Sequence, residues 1–421
     1  MRSGGHQGNY ALREISGKIP YMRENPKLTV VEGVDDAIRA DAQALSGELF
    51  KLRARLFPPS ASKQLRQFTS GEAAALIGVT DAYLRQLSLA GDGPIPHLTS
   101  GGRRSYTLAQ INELRQFLSR EGREYIPARR GDDHLQVVAV TNFKGGSGKT
   151  TTSAHLAQYL ALRGFRVLAV DLDPQSSLSA LFGVQPETDL AENETLYAAI
   201  RYDEKRKSLS DIIRPTYFSG IDLVPGNLEL QEFEHDTPRV LARGRRGEHD
   251  LFFTRIKETF DSVEDRYDVI VLDCPPQLGF LTLGALCAAT GVLVTVHPQM
   301  LDVASMSQFL LMTADLLSVV RNAGGNLHYD FLRYLVTRYE PQDGPQTQIV
   351  GFLRNLFGER VLTNPMLKST AVSDAGLTKQ TLYEISRQTI GRSTYARAVE
   401  ALDSVNGEVE QLIRRAWGRA E

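Results

Sequence analysis

Cysteine is almost missing from this chain. Its 421 residues include two, Cys274 and Cys287. That number excludes a disulfide framework, and their spacing matches no metal-site pattern. A reducing compartment, the cytoplasm, is the natural setting. Long hydrophobic runs are missing too: no stretch approaches the roughly 18 apolar residues of a membrane span. The opening Met1-Arg2-Ser3-Gly4-Gly5-His6 lacks the apolar segment of a secretory leader. There is no internal repeat and no low-complexity tract. What remains is 42% hydrophobic and 23% charged, a composition that suits a globular chain of two or three domains.

The net charge of −2 is unevenly laid out. Residues 1–130 carry 19 Lys+Arg against 13 Asp+Glu, a surplus of +6, which leaves −8 on the remainder. A basic front on an acidic body suits an anionic partner. Chance scatter fits the charge count equally well.

Residues 1–66 read as an extension with one helix, Asp35 to Phe57, stopped by Pro58-Pro59. Its apolar positions Ile38, Leu45, Leu49, Leu52 and Leu56 form a coiled-coil-like stripe. The stripe suits either dimerisation or packing on its own domain. Residues 67–118 have helix-turn-helix spacing. Thr69 and Glu72 form a capping box for a helix over 72–77. Gly78 permits a tight turn, and Thr80 caps a second helix over 81–87. Gly101-Gly102-Arg103-Arg104-Ser105-Tyr106 reads as a β-wing, and Thr107 caps a further helix through Leu118. The layout resembles MerR-like winged helix-turn-helix modules. That resemblance implies a second helix in the major groove, with Tyr83, Arg85 and Gln86 at base edges and Arg103 and Arg104 on phosphates. A plain helical module is the competing reading. Residues 119–134 are polar, carry Pro127 and read as a linker.

Over residues 135–421, β-like runs at 137–141, 167–171, 221–224, 269–273, 291–296 and 331–337 alternate with helical ones. The expected fold class is α/β: a mostly parallel, doubly wound P-loop sheet behind an all-helical or winged helix-turn-helix N-terminal domain. Such sheets bind ligands at the carboxyl ends of their strands.

Three segments fall at those ends. The first is Lys144-Gly145-Gly146-Ser147-Gly148-Lys149-Thr150-Thr151, between a strand and a helix. A glycine-rich turn there cradles phosphates with backbone N–H groups and the positive end of the helix. Lys149 suits the β/γ-phosphates and Thr150 a Mg²⁺ ion. The ordinary pattern wants glycine where this chain has Phe143, and here a second lysine, Lys144, follows. The second segment is Asp171-Leu172-Asp173-Pro174-Gln175, and the third is Asp273-Cys274-Pro275-Pro276. A carboxylate beside a phosphate loop serves the water shell of a metal ion. Asp273 is the expected metal residue, Asp171 a further candidate acting through water, and Asp173 is placed to orient an attacking water. No guanine-reading Asn-Lys-x-Asp or Thr-Lys-x-Asp follows, which favours adenine. Thr337-Arg338-Tyr339 and His297-Pro298-Gln299 are adenine-wall candidates or plain strand-to-loop turns.

The loop with Lys144, Asp171-x-Asp173-Pro174-Gln175 and Asp273-x-Pro275-Pro276 together resemble the ParA/MinD family of deviant Walker ATPases over residues 135 to about 415. With the module in front, the chain resembles the large ParA type. Its layout and length look like those of the RepA proteins of RepABC plasmids. The resemblance implies a slow ATPase using ATP and Mg²⁺, with Lys144, Lys149, Asp173 and Asp273 in the chemistry. Two protomers would sandwich two ATP molecules, each Lys144 reaching its neighbour's phosphates, and filaments could extend the dimer. It also implies non-specific DNA binding through C-terminal basic residues, from candidates Arg338, Arg354, Lys368, Lys379 and Arg392. The basic run 239–246 is a further surface candidate. A centromere-binding ParB-type partner would stimulate hydrolysis, and the N-terminal module would repress its own operon. The setting would be cytoplasmic and nucleoid-associated, without a membrane.

Other functions compete on the same scaffold. A MinD-like membrane cycle needs an amphipathic terminal helix, and Val405, Val409, Leu412, Ile413 and Trp417 could form its apolar face, though packing on the sheet is the simpler reading. A nucleotide-regulated transcriptional repressor is a further alternative. A nitrogenase-like reductase needs paired cysteines, and a tyrosine kinase of this scaffold needs a tyrosine-rich tail. Both are poorly matched here.

Overall fold

The computed structural model describes residues 33–56, 63–99, 101–120, 124–243, 251–325, 327–377, 379–385 and 392–419. Contacts divide the chain into two units, Met1–Lys63 and Gln64–Glu421. The first contains helix α1 (Val34–Leu56), with Asp35 and Asp36 in its first turn complementing the helix dipole. Val34, Ile38 and Leu45 are exposed. The side chains of Leu49, Leu52 and Leu56 lie outside the described residues.

The second unit opens with β1 (Phe68–Thr69), α2 (Ser70–Ile77) and α3 (Asp81–Ala90). Thr69 and Glu72 cap α2 reciprocally, and Gly78 ends it at φ 87, a conformation that glycine adopts without strain. Thr80 accepts from the Tyr83 amide to start α3, which runs three residues past its expected end. Strands β2 (His97–Leu98) and β3 (Arg104–Tyr106) pair antiparallel at the position of the expected wing, in a sheet of order β1-β3-β2. A second capping box, Thr107 with Gln110, opens α4 (Leu108–Ser119). Ala73, Ile77, Leu84, Leu87, Ile111 and Leu114 are packed at the centre.

The linker segment is fastened down. The Arg129 amide donates to Asp268 Oδ1 at 3.2 Å, and its guanidinium donates to Glu264. Trp417 Nε1 donates to the His134 carbonyl at 2.9 Å. Arg419 donates to the Ala128 carbonyl at 3.1 Å and pairs with Asp133.

The α/β part runs β4 (Gln136–Thr141), α5 (Lys149–Arg163), β5 (Val167–Asp171), α6 (Ser177–Leu181), α7 (Pro186–Asp189), α8 (Leu196–Ile200), β6 (Arg214–Pro215) and β7 (Ile221–Val224). It continues with α9 (Leu230–Ala242), α10 (Arg255–Asp261), β8 (Val269–Asp273), α11 (Phe280–Ala288), β9 (Gly291–Val296) and α12 (Met300–Asn322). Last come β10 (Phe331–Val336), α13 (Gly344–Phe357), α14 (Thr370–Leu377) and α15 (Arg392–Ala416). The sheet order is β10-β9-β4-β8-β5-β7-β6. All neighbours are parallel except β6, which pairs antiparallel with β7 at the edge. The sequence reading lacks β6: two residues carry no alternation, and Pro215 is tolerated only because the strand is at an edge. The central strands are continuous Val/Ile/Leu runs because helices cover both faces. Leu156, Leu160 and Ile413 pack on one face, and Ile200, Leu281 and Phe309 on the other.

Two helices need comment. By length and composition α12 is apolar enough to cross a membrane, which departs from the expectation of no such stretch. In this fold it is the crossover between the paired strands β9 and β10, with Met306, Phe309 and Val320 buried. In α15, Val405, Val409, Leu412 and Ile413, like Trp417 just beyond it, are buried, so the face weighed as a membrane surface is core.

Candidate nucleotide site

Strands β4, β8 and β5 are neighbours, so their carboxyl ends bring the three sequence segments together. After β4 the chain turns through residues 142–148, with Gly146 at φ 75 and Gly148 at φ 88, and enters α5 at Lys149. The loop is fastened from the adjoining strands. Asn142 Nδ2 donates to the Thr295 carbonyl, and Thr295 Oγ1 bonds Ser147 Oγ at 3.0 Å. Thr337 Oγ1 donates to the Ser147 carbonyl at 2.7 Å, and Arg338 Nη1 to the Gly146 carbonyl at 3.1 Å. Thr337 and Arg338, read in sequence as either adenine walls or a plain strand-to-loop turn, bond the loop backbone and help hold its shape.

The two loop lysines are placed differently. Lys149 is buried, 7% exposed, and its Nζ donates to the Lys144 carbonyl at 3.1 Å. Burial lowers its pKa, opposed by the nearby Asp273, Cys274 and Asp173. Lys144 lies on the exposed rim and pairs with Asp302 in the first turn of α12. The other oxygen of Asp302 lies 3.0 Å from His297 Nδ1. Phe143 stacks on Phe309 of α12, with ring centroids 5.3 Å apart. The departure from the ordinary loop pattern thus ties the loop to α12 through one ring and one charge.

Asp171 and Asp273 face each other across the β5–β8 register. Asp273 is 1% exposed. Ser153 donates to its Oδ1 at 3.0 Å, and the Thr150 hydroxyl also bonds it. Its Oδ2 is buried with no hydrogen-bond partner. Burial and then the charge of Asp171 push the Asp273 carboxyl above the usual carboxylate range. A buried, undonated carboxylate oxygen beside a hydroxyl is the chemistry a hydrated divalent cation completes.

Asp171 has local partners instead. Its carboxylate accepts from Ser179 N at 2.8 Å and Ser179 Oγ at 2.7 Å, and from the Asp173 amide. Gly226 N in turn donates to Ser179 Oγ at 3.0 Å. A Cβ at Gly226 would lie 2.8 Å from the Asp171 carbonyl and 3.0 Å from that of Asp173, so only glycine fits there. Asp173 accepts from the Gln175 amide at 2.9 Å. Sequence reasoning missed Ser153, Ser179, Gly226 and Asp302. Ser153 alone had a signal, lying one helical turn beyond Lys149.

Among the candidates for DNA, Arg85, Gln86 and Arg103 are exposed, Arg85 pairing with Asp81 at 3.2 Å. Tyr83 packs partly against the module core. Arg104 Nε donates to Ser88 Oγ at 3.1 Å, which fixes the wing to α3. Arg354 donates to the Thr363 carbonyl, and Lys368 pairs with Glu340 at 2.8 Å. The Arg392 side chain and residues 244–246 of the basic run lie outside the described residues.

Comparison with known proteins agrees with this geometry. A family model described as an AAA domain matches residues 135–323. The chain is 55% identical to "Putative replication protein A" of Rhizobium rhizogenes, covering 93% of this chain and 97% of that one. It is 31% identical to protein SopA of Escherichia coli K12, covering 85% and 92%. The chain belongs to the ParA family of partition ATPases. A solved partition protein shares the fold at TM-score 0.58 and 17% identity, over 86% of this chain and 98% of that one. Within this ParA-type chain Cys274 is buried beside Asp273, and burial raises its thiol pKa. Among the described residues no group of three His, Cys, Asp or Glu could hold a metal.

Proposed function

We propose that this ParA-family chain is an ATP-driven switch for DNA partition. Lys149 and the amides of residues 145–150 receive the phosphates, and Thr150 with Asp273 Oδ2 would hold Mg²⁺. The bound cation would neutralise charge building on the transferred phosphoryl group. Asp173 orients the attacking water. The observation that carries the reading is the placement of the two lysines. One is buried in the cradle and one stands on its exposed rim, joined to Asp302. A lysine on that rim is free to serve a second protomer apposed across the site once it leaves Asp302, the role the family resemblance gives it. Triphosphates trapped between two protomers then hold the dimer, and hydrolysis releases it.

The ATP dimer binds DNA without sequence preference through surface cations, with Arg354 and Lys368 among them. A ParB-type partner triggers hydrolysis, and the winged module binds operator DNA. The cytoplasm and the nucleoid are the setting. Binding of a fluorescent random-sequence duplex in ATP·Mg²⁺, ADP·Mg²⁺ and no nucleotide tests this. Tight binding with ATP alone, weakening steeply with salt, is expected, and equally weak binding in all three states overturns it.

A further inference from the structure

One arginine joins the helix-turn-helix module to the helix that carries the phosphate loop. Arg115 of α4 is 1% exposed. Its Nη2 donates to the Leu76 carbonyl at 2.7 Å and to the Leu162 carbonyl at 2.6 Å, and its Nη1 donates to Asn112 Oδ1 at 2.6 Å. Leu76 is in the last turn of α2 and Leu162 in the last turn of α5. Carbonyls at helix C-termini lack intrahelical donors and carry the negative end of the dipole. The guanidinium therefore satisfies two helix ends at once. Room for it comes from Gly164, at φ 101, where a Cβ would lie 3.0–3.2 Å from Arg115 Nη1, Cδ and Cζ. No carboxylate pairs with Arg115 among the described residues. Burial and the charge of Arg163 lower its pKa to about 10.

Cohesion alone does not call for such a residue. A methionine or leucine would fill the junction without desolvating a charge. What the guanidinium adds is direction, because it fixes two helix ends relative to each other through short bonds. The hydrophobic core is also continuous across the junction, from Leu84 and Leu118 to Leu156 and Leu160. Helix α5 has 15 residues, about 22 Å at 1.5 Å per residue. Lys149 and Thr150 begin it, and the Arg115 contact ends it.

We propose that Arg115 is the positioning residue that links nucleotide at the phosphate loop to the DNA-reading module, with α5 as the strut between them. The proposal rests on the nucleotide reading above. A change at the amino end of α5 reaches the carbonyl of Leu162, and through Arg115 it reaches α2 and α4. Linkage is reciprocal: DNA held by the module biases nucleotide affinity by the same factor.

Hydrogen–deuterium exchange of the full chain tests this, with and without a non-hydrolysable ATP analogue plus Mg²⁺, and nucleotide affinity is measured separately by fluorescence. In the natural protein the analogue should slow exchange across residues 70–119 by about fivefold. In Arg115→Met the analogue should still bind, with the slowing of 70–119 lost. Asn112→Ala, which removes one acceptor and leaves the core filled, should give an intermediate loss and serves if Arg115→Met does not fold. Slowing that persists in both variants, or no response in a natural protein that binds the analogue, overturns the proposal. A natural protein that fails to bind the analogue overturns the nucleotide reading itself.

Discussion

In the free protomer Lys144 is already engaged with Asp302, whose second oxygen lies beside His297. To reach a neighbour's phosphates it must leave that carboxylate. Asp302→Asn keeps the size of the side chain and its place beside His297, and removes the charge. The Lys144 side chain is 44% exposed and Asp302 10%, so solvent screens the pair. Its worth sits near the top of the surface range, about 1 kcal/mol per lysine. A dimer releases two lysines, so the substitution should favour association by about 2 kcal/mol, roughly 30-fold in dimer dissociation constant. Sedimentation velocity over a concentration series, with ATP analogue and Mg²⁺, measures it. Lys144→Ala should abolish the gain, and the double variant Lys144→Ala/Asp302→Asn should dimerise no better than Lys144→Ala alone. A dimer constant within twofold of the natural protein, or a looser dimer, would refute the idea that this pair restrains Lys144.

Three further outcomes are expected. Ser153→Ala removes the donor to Asp273 Oδ1 and should weaken the Mg²⁺ dependence of nucleotide binding about tenfold, a loss near the low end for bonds to charged groups; an unchanged Mg²⁺ titration counts against it. Gly226→Ala forces a Cβ onto the Asp171 and Asp173 carbonyls and should cost about 1–3 kcal/mol in urea unfolding, together with hydrolysis. The Asp273 carboxyl, raised in the folded protein by burial and then by the charge of Asp171, lies above the roughly 3.9 of an unfolded aspartate. Above about pH 4 the folded Asp171–Asp273 pair holds a proton that the unfolded chain has lost, so its contribution to stability is complete below about pH 4 and falls as pH rises through the folded value. Thermal unfolding from pH 5 to 8.5 should show the fall without ligand and lose it with Mg²⁺-nucleotide; parallel slopes would refute the assignment.

The legible parts of the chain were the local ones. Strands β5, β7, β8 and β9 match their expected residues because each is a short, predominantly apolar β-branched run. Thr69, Thr80 and Thr107 announce helix starts because capping acts over three residues. The phosphate loop is equally compact. What could not be read depends on partners far apart in sequence. Ser153 meets Asp273, Lys144 meets Asp302, and Arg115 meets Leu76 and Leu162 only once the sheet is assembled. In sequence Asp273 is the expected metal residue and Asp171 a further candidate acting through water, though both end buried strands. Ser179, eight residues on, separates them by taking up the Asp171 carboxylate. The sequence reading passes over the run of α12, although a crossover helix with one face on the sheet can be as apolar as a bilayer segment.

The fastening of the linker by Trp417 and Arg419 bears on how the protein is handled at the bench. These side chains clasp the His134 and Ala128 carbonyls just where the polypeptide enters β4. A bulky group attached beside Trp417 or Arg419 would pull on that clasp and loosen the approach to the central strand.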